Sequence, residues 1–177
     1  MSVDKVLIVG GGFTGLTAAI ALAQRNVQVT LVDKAPAWAR VGHGLTIQGN
    51  ALRVFREIGV LDDVLAKGFP EDDGVTLYFA DGRTMAHLNT PRTGGDDLPP
   101  TIGALRPDIH ETLVAKAEEL GVEIRLGTEL SSFENSAESA TSLLSDGTTE
   151  TWDLIIVAEG IKSQTRAKLG IVEDRAP

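Results

Sequence analysis

The sequence predicts an α/β fold that opens strand, helix, parallel strand, and three local observations predict it. Lys5 to Val9 (KVLIV) is a short apolar run closed at once by three glycines, the pattern of a buried strand. Gly15 to Gln24 (GLTAAIALAQ) is rich in Ala and Leu, with Leu16, Ala19, Ile20 and Ala23 on one helical face. Asn26 then stands where a residue with left-handed backbone ends a helix, and Val27 to Val32 (VQVTLV) alternates into a second strand ended by Asp33. Crossovers of this kind join parallel neighbours in a right-handed sense.

After Asp33 the chain departs from simple strand-helix alternation. Residues 34–47 carry Pro36, Gly42 and Gly44 and read as a long loop. Asn50 to Ile58 predicts a helix stopped by Gly59, and Leu61 to Lys67 a shorter one stopped by Gly68. Val75 to Phe79, the Asp81-Gly82 turn and Thr84 to Leu88 form a predicted β-hairpin that interrupts the α/β pattern. Asn89 to Thr101 is a Thr-, Pro-, Gly- and Asp-rich loop. Pro107 starts a helix whose stripe of Ile109, Leu113, Ala117 and Leu120 runs to a stop at Gly121. Four short strands follow, Val122 to Leu126, Glu129 to Glu134, Ser139 to Leu144 and Thr148 to Thr151, the last two joined by an Asp146-Gly147 turn into a meander. Leu154 to Ala158 (LIIVA) has the continuous apolar character of a strand at the centre of a sheet.

Composition narrows the function classes. The 177 residues include 25 acidic and 16 basic side chains, a net charge of −9, and no cysteine. Disulfides, thiolate metal sites and a cysteine nucleophile are therefore excluded, and the cytoplasm is the default location. No Lys/Arg run exists to neutralise phosphates, so neither nucleic acid nor an anionic membrane is the expected partner. A small molecule is. No stretch approaches the roughly 20 apolar residues of a membrane span, and Met1 to Lys5 does not open a signal peptide. His43, His87 and His110 are scattered without ligand spacing, so no metal site is expected.

Gly10-Gly11-Gly12-Phe13-Thr14-Gly15 satisfies G-x-G-x-x-G between the first strand and the first helix, where the physics of dinucleotide binding needs it. Gly10 allows the tight turn, Gly12 lets backbone approach a pyrophosphate, and Gly15 lets helix and strand pack closely. The positive end of the helix then faces the phosphates. Asp33 ends the second strand at roughly the 20-residue separation at which a carboxylate accepts from a ribose diol. A carboxylate there repels a 2′-phosphate, although Lys34 stands beside it, so the dinucleotide is read as FAD or NAD rather than NADP. An NAD dehydrogenase domain would continue with further strand-helix units, whereas helices, a hairpin and a loop follow here.

At this point the chain resembles the FAD-dependent aromatic hydroxylases, or group A flavoprotein monooxygenases, similar to para-hydroxybenzoate hydroxylase, of which it covers the N-terminal half. Four ordered segments carry the resemblance: VLIVGGGFTGLTAAIALAQRNVQVTLVDK, Arg40 with GHGLTIQGNALRVFREIGV, Arg106 with RPDIHETLVAKAEELGVEIRLG, and DLIIVAEGIKSQTR. The resemblance implies a Rossmann-like FAD-binding fold over residues 1–177, with residues 69–101 as an inserted hairpin and loop belonging to an incomplete second, substrate domain. It implies Arg40 and Arg106 beside the FAD pyrophosphate and ribityl region, where a guanidinium fork suits phosphate oxygens. It puts the backbone around Leu130 at the adenine. Glu159-Gly160 stands where the family usually has Asp-Gly, a departure of one methylene. Trp38 and Tyr78 are read as ordinary packing residues rather than ligand contacts.

In the intact family NADH or NADPH reduces FAD, and the reduced flavin activates oxygen to hydroxylate an aromatic ring. The cofactor carries that chemistry, so no catalytic side chain is named. Family members continue for about as much chain again. The expectation is a fragment or one half of a split enzyme, with exposed strand edges that invite a homodimer or a complementing C-terminal subunit. The alternatives are a non-catalytic nucleotide-binding interaction module and a related FAD-dependent halogenase or reductase.

Overall fold

A computed structural model describes residues 3–40 and 42–171. In chain order its elements are β1 (Lys5–Val9), α1 (Phe13–Ala23), β2 (Gln28–Asp33), β3 (Gly44–Gln48), α2 (Gly49–Glu57), α3 (Leu61–Lys67), β4 (Phe69–Glu71), β5 (Val75–Tyr78) and β6 (Thr84–Leu88). They continue with β7 (Thr101–Leu105), α4 (Arg106–Glu119), β8 (Glu123–Leu126), β9 (Leu130–Asn135), β10 (Ala140–Leu144), β11 (Thr149–Trp152), β12 (Leu154–Val157), a 3-10 turn (Gly160–Lys162) and α5 (Gln164–Lys168). The chain divides into two compact units, one holding the residues up to Ala39 and those from Leu113 onward, the other Arg40–Thr112.

The first unit is built on a parallel sheet of order β12-β1-β2-β8. β1 and β2 run in register from Lys5↔Gln28 to Val9↔Val32, joined by α1, and Asn26 takes the left-handed conformation (φ 62°) in the reversal between α1 and β2. α1 buries Gly15, Leu16, Ala19 and Ile20, and the second half of α4 buries Leu113, Val114 and Ala117. Leu7, Val9 and Val32 of the sheet share a core with Leu130, Leu144 and Trp152 of the antiparallel meander β11-β10-β9. Trp152 is 1% exposed and its indole N–H donates to the buried Ser142 hydroxyl at 2.8 Å, so the largest side chain of this core leaves no polar atom unsatisfied.

The second unit holds an antiparallel sheet of order β3-β7-β4, the helices α2 and α3, and the two-stranded hairpin β5-β6. Residues 69–101 fall inside it. Three of its strands, β3, β4 and β7, differ from the sequence reading, which has no strand over Thr101–Leu105. Residues 34–47 do not form one long loop, because Gly44–Gln48 pairs with β7 from Gly44↔Leu105 to Gln48↔Thr101, and Phe69–Glu71 pairs with the other edge of β7. β3 is short and only Ile47 is fully buried, so its alternation of Leu45 and Ile47 with polar residues spans too few positions to stand out from the surrounding glycines. Pro70 is tolerated because β4 is an edge strand.

A further difference concerns β12. Its apolar run predicts a central strand, yet β12 is the edge of the parallel sheet, with Leu154 42% and Val157 37% exposed. The run has the composition of a strand flanked on both sides, and among the described residues β1 alone flanks it. No helix among the described residues is long and apolar enough to cross a membrane.

Candidate functional site

The C-terminal ends of the parallel strands converge on the glycine turn, and each glycine there has a different reason for lacking a side chain. Gly10 has φ +110°, and a Cβ on it would lie 2.4 Å from the carbonyl oxygen of Ala158. A Cβ on Gly15 would lie 1.9 Å from the carbonyl oxygen of Gly10, so close strand-helix packing alone demands glycine at that position. Gly12 is different. Its backbone is ordinary (φ −75°), and a Cβ on it would meet nothing within 4 Å. Neither conformation nor crowding within the chain requires a glycine at position 12, and its front is open to a group from outside the chain. Gly12 is also the N-cap of α1, with no side chain capping the helix and no acidic residue in its first turn, so the positive helix end is left to an anion. Phe13 is half-buried and Thr14 exposed on that first turn.

Asp33 is brought onto the same turn. Its Oδ2 accepts from the Gly11 N–H at 2.6 Å and its Oδ1 from the Ala35 N–H at 2.8 Å. Each carboxylate oxygen has a second lone pair, so both retain capacity to accept from a diol. Lys34 beside it is exposed. The segment leading into β9 is tied to the same place, because the Thr128 N–H donates to the Asp33 carbonyl at 3.0 Å and the Gly127 N–H to the Ala35 carbonyl at 2.8 Å. Leu130 thus starts its strand two residues beyond the Asp33 tether, with its side chain buried in the core.

Two further residues complete this end of the sheet. A Cβ on Gly11 would lie 2.3 Å from Cη2 of Trp38, whose indole folds back across the glycine turn. Sequence reasoning assigned Trp38 to packing; the signal available was a lone indole in the small-residue stretch APAWA. Glu159 follows Ala158 and turns toward its own downstream chain, its Oε2 accepting from the Ser163 hydroxyl at 2.6 Å and the Thr165 N–H at 3.1 Å. Burial pushes the Glu159 carboxyl up, but the bonds from Ser163 and Thr165 outweigh it and hold the group below the usual carboxylate range. The extra methylene relative to aspartate gives the reach to span this turn, and Gly160 has the positive φ (+76°) that the turn uses.

Arg40 and Arg106 belong to the second unit. The Arg40 guanidinium donates to Asp108 at 2.9 Å and to Glu111, both on α4, and these carboxylates raise its pKa further. Arg106 opens α4, its N–H donating to the His43 carbonyl at 3.2 Å and its side chain lying against Gly42. The structure therefore gathers Gly10, Gly12, Gly15, Asp33, the approach to Leu130, and Glu159 in one unit, and the two arginines in the other.

The family described as FAD binding domain matches residues 4–175. The chain belongs to that family. The cofactor is accordingly FAD, which resolves the choice between FAD and NAD. Among curated proteins the chain is 34% identical over 173 residues to the FAD-dependent monooxygenase OpS4 of Beauveria bassiana, covering 93% of this chain and 39% of that protein. It is 31% identical over 167 residues to the 3-amino-4-hydroxybenzoate 2-monooxygenase of Streptomyces cremeus, covering 92% and 41%. Among solved structures it is similar to the tetrameric form of 2-methyl-3-hydroxypyridine-5-carboxylic acid oxygenase, at TM-score 0.81, 29% identity and coverage of 96% of this chain and 43% of the other. The flavin-dependent monooxygenase PieE, solved with FAD and substrate, gives TM-score 0.80 at 28% identity, covering 96% and 32%. The chain spans less than half the length of each of these relatives. The glycine turn fits FAD in that Gly12 leaves its front open at an uncapped helix start, beside the Asp33 carboxylate.

Proposed function

We propose that the chain is the FAD-binding portion of an NAD(P)H-dependent monooxygenase that hydroxylates an aromatic or related small molecule. The observation that carries this is the pairing of an uncrowded Gly12 at an uncapped helix start with a carboxylate held against Gly11, an anion site beside a sugar site. In this reading the Gly10–Gly15 turn and the first turn of α1 hold the diphosphate, Asp33 the ribose, and the backbone before Leu130 the adenine. Arg40, Arg106 and the Glu159-Gly160 turn serve the remainder of the cofactor, and Lys34 flanks the ribose. FAD, when bound, supplies hydride acceptance and oxygen activation. The protein holds and orients it and keeps water away.

The aromatic substrate is supported by the relatives whose names give hydroxybenzoate and hydroxypyridine chemistry. A completing polypeptide, continuous with this chain or separate, is part of the same reading. Two unpartnered surfaces support it. The outer edge of β12 has no neighbour among the described residues, and the hairpin β5-β6 exposes Val75, Leu77, Tyr78, Phe79, Met85 and Leu88. The stretch 69–101 then belongs to the substrate domain that this polypeptide completes, in a cytoplasmic setting where reduced nicotinamide nucleotides are made.

Titration of FAD into the folded chain tests the proposal. Saturable uptake with flavin absorbance is expected, weakened about ten-fold by Asp33→Ala, which removes a charge-assisted contact. With the completing polypeptide present, NADH or NADPH oxidation stimulated by a phenolic acid and coupled to oxygen incorporation is expected. A folded chain that rejects FAD, or a complete protein that oxidises nicotinamide nucleotide without ever oxygenating a small molecule, overturns it.

A further inference from the structure

We propose that Trp38 forms the aromatic wall of the adenosine end of the FAD site, offering its indole face to the adenine-ribose portion while Asp33 accepts from the ribose hydroxyls. This deepens the FAD reading and rests on it.

The loop that carries Trp38 has no core of its own. Lys34, Pro36, Ala37 and Ala39 are all exposed, yet Trp38 is half-buried, because the indole lies back over Gly11. That return is built. The Ala35 N–H is held by Asp33 Oδ1 and the Ala35 carbonyl accepts from the Gly127 N–H, each at 2.8 Å, so the chain leaves β2 in a defined direction. At Gly11 a Cβ would lie 2.3 Å from Cη2 and 2.9 Å from Cζ3 of Trp38, and 3.3 Å from Asp33 Oδ2. Ring and carboxylate thus converge on one residue, whose N–H donates to that same Oδ2 at 2.6 Å. The next residue is Gly12, which opens on empty space.

An adenosine diphosphate whose phosphates face Gly12 and whose sugar reaches Asp33 passes alongside this indole. Every purine has a flat π-face, and an indole is the side chain best suited to take it, by stacking and by excluding water from the sugar-carboxylate bonds. A half-buried ring at this place suits a wall, since it lies over the backbone of the glycine turn beside the Asp33 carboxylate.

The test compares wild type, W38F and W38A with three probes: FAD, ADP, and riboflavin 5′-phosphate, which lacks the adenosine. The chain has two tryptophans. Trp152 is buried at the opposite end of β1, under Lys5, so W38F reports its emission alone. ADP is expected to change tryptophan emission in wild type and not in W38F. By calorimetry W38A is expected to bind ADP and FAD about ten-fold more weakly and W38F about two-fold, with riboflavin 5′-phosphate unaffected. Should W38A fail to fold, the wild-type and W38F emission still decides. Calorimetric ADP binding without any change in Trp38 emission overturns the proposal. So does W38A binding FAD and ADP as tightly as wild type, which leaves the FAD site itself standing. A folded wild type that takes up neither FAD nor ADP overturns both.

Discussion

Two polar regions of the parallel sheet use their groups in opposite ways. In the network that runs from Lys5 of β1 to Arg125 of β8 the charges are closed on one another. Arg125 donates to Glu123 at 2.9 and 3.0 Å and to Glu150 at 2.7 Å, Glu150 also pairs with Lys5 at 3.1 Å, and Glu123 accepts from Thr30 at 3.0 Å. Asp153 takes the N–H groups of Asp4 and Lys5 at 2.7 and 2.8 Å, and Lys5 lies 4.4 Å over the Trp152 ring. At the glycine turn the carboxylates of Asp33 and Glu159 are held mainly by backbone N–H and hydroxyl groups, no side chain caps α1, and Gly12 faces open space. A network saturated by its own members stabilises the fold. An uncapped helix start is where an anionic ligand gains most, because no side chain has already neutralised its field.

The sharpest way to break this comparison is at the glycines. Gly15→Ala is expected to cost about 3 kcal/mol or more, read as a lowered urea midpoint, since its Cβ would sit 1.9 Å from a backbone oxygen. Gly12→Ala, by contrast, should leave the urea midpoint nearly unchanged while weakening FAD at least ten-fold. Equal stability losses at the two positions would remove the argument that Gly12 serves a ligand.

Gly11→Ala is expected to cost about 2 kcal/mol through overpacking against Trp38, and about half of that should vanish in a W38A background. A double-mutant cycle in the FAD-free protein measures the coupling; additive losses would mean that the ring does not rest on Gly11.

In the closed network, Arg125→Ala should lower stability by about 1–2 kcal/mol without altering FAD affinity, because it leaves two partly exposed carboxylates without their main donor. A matching loss of FAD affinity would show that the two regions are not separate.

The smallest effect is in pH. The hydrogen bonds from Arg125 hold both Glu123 and Glu150 below the usual carboxylate range. A depressed folded pKa stabilises above the unfolded value, about 4.3 for glutamate, and that contribution is lost as pH falls through the lower folded values. Urea midpoints measured below about pH 4 should therefore fall less steeply in Arg125→Ala than in wild type.

Much of the cofactor end was legible in the chain because it is local. The glycines, the apolar face of α1 and the alternation of β2 lie within 33 consecutive residues, each constrained by its own neighbours. β3 and β4 were not legible, since each is short, nearly unburied and defined by pairing with β7 far along the chain. The apolar pattern of β12 was read correctly as a strand, while its place at an edge depends on which strands exist to flank it.

The sequence by itself determined that a nucleotide-binding β-α-β unit opens this protein and that a carboxylate ends its second strand, because backbone propensity and period act within a few residues. Tertiary structure alone decided that Trp38 returns to Gly11 and that Glu159 bonds its own turn. Those are contacts set by packing between distant or irregular segments, and packing leaves no periodic trace in the chain.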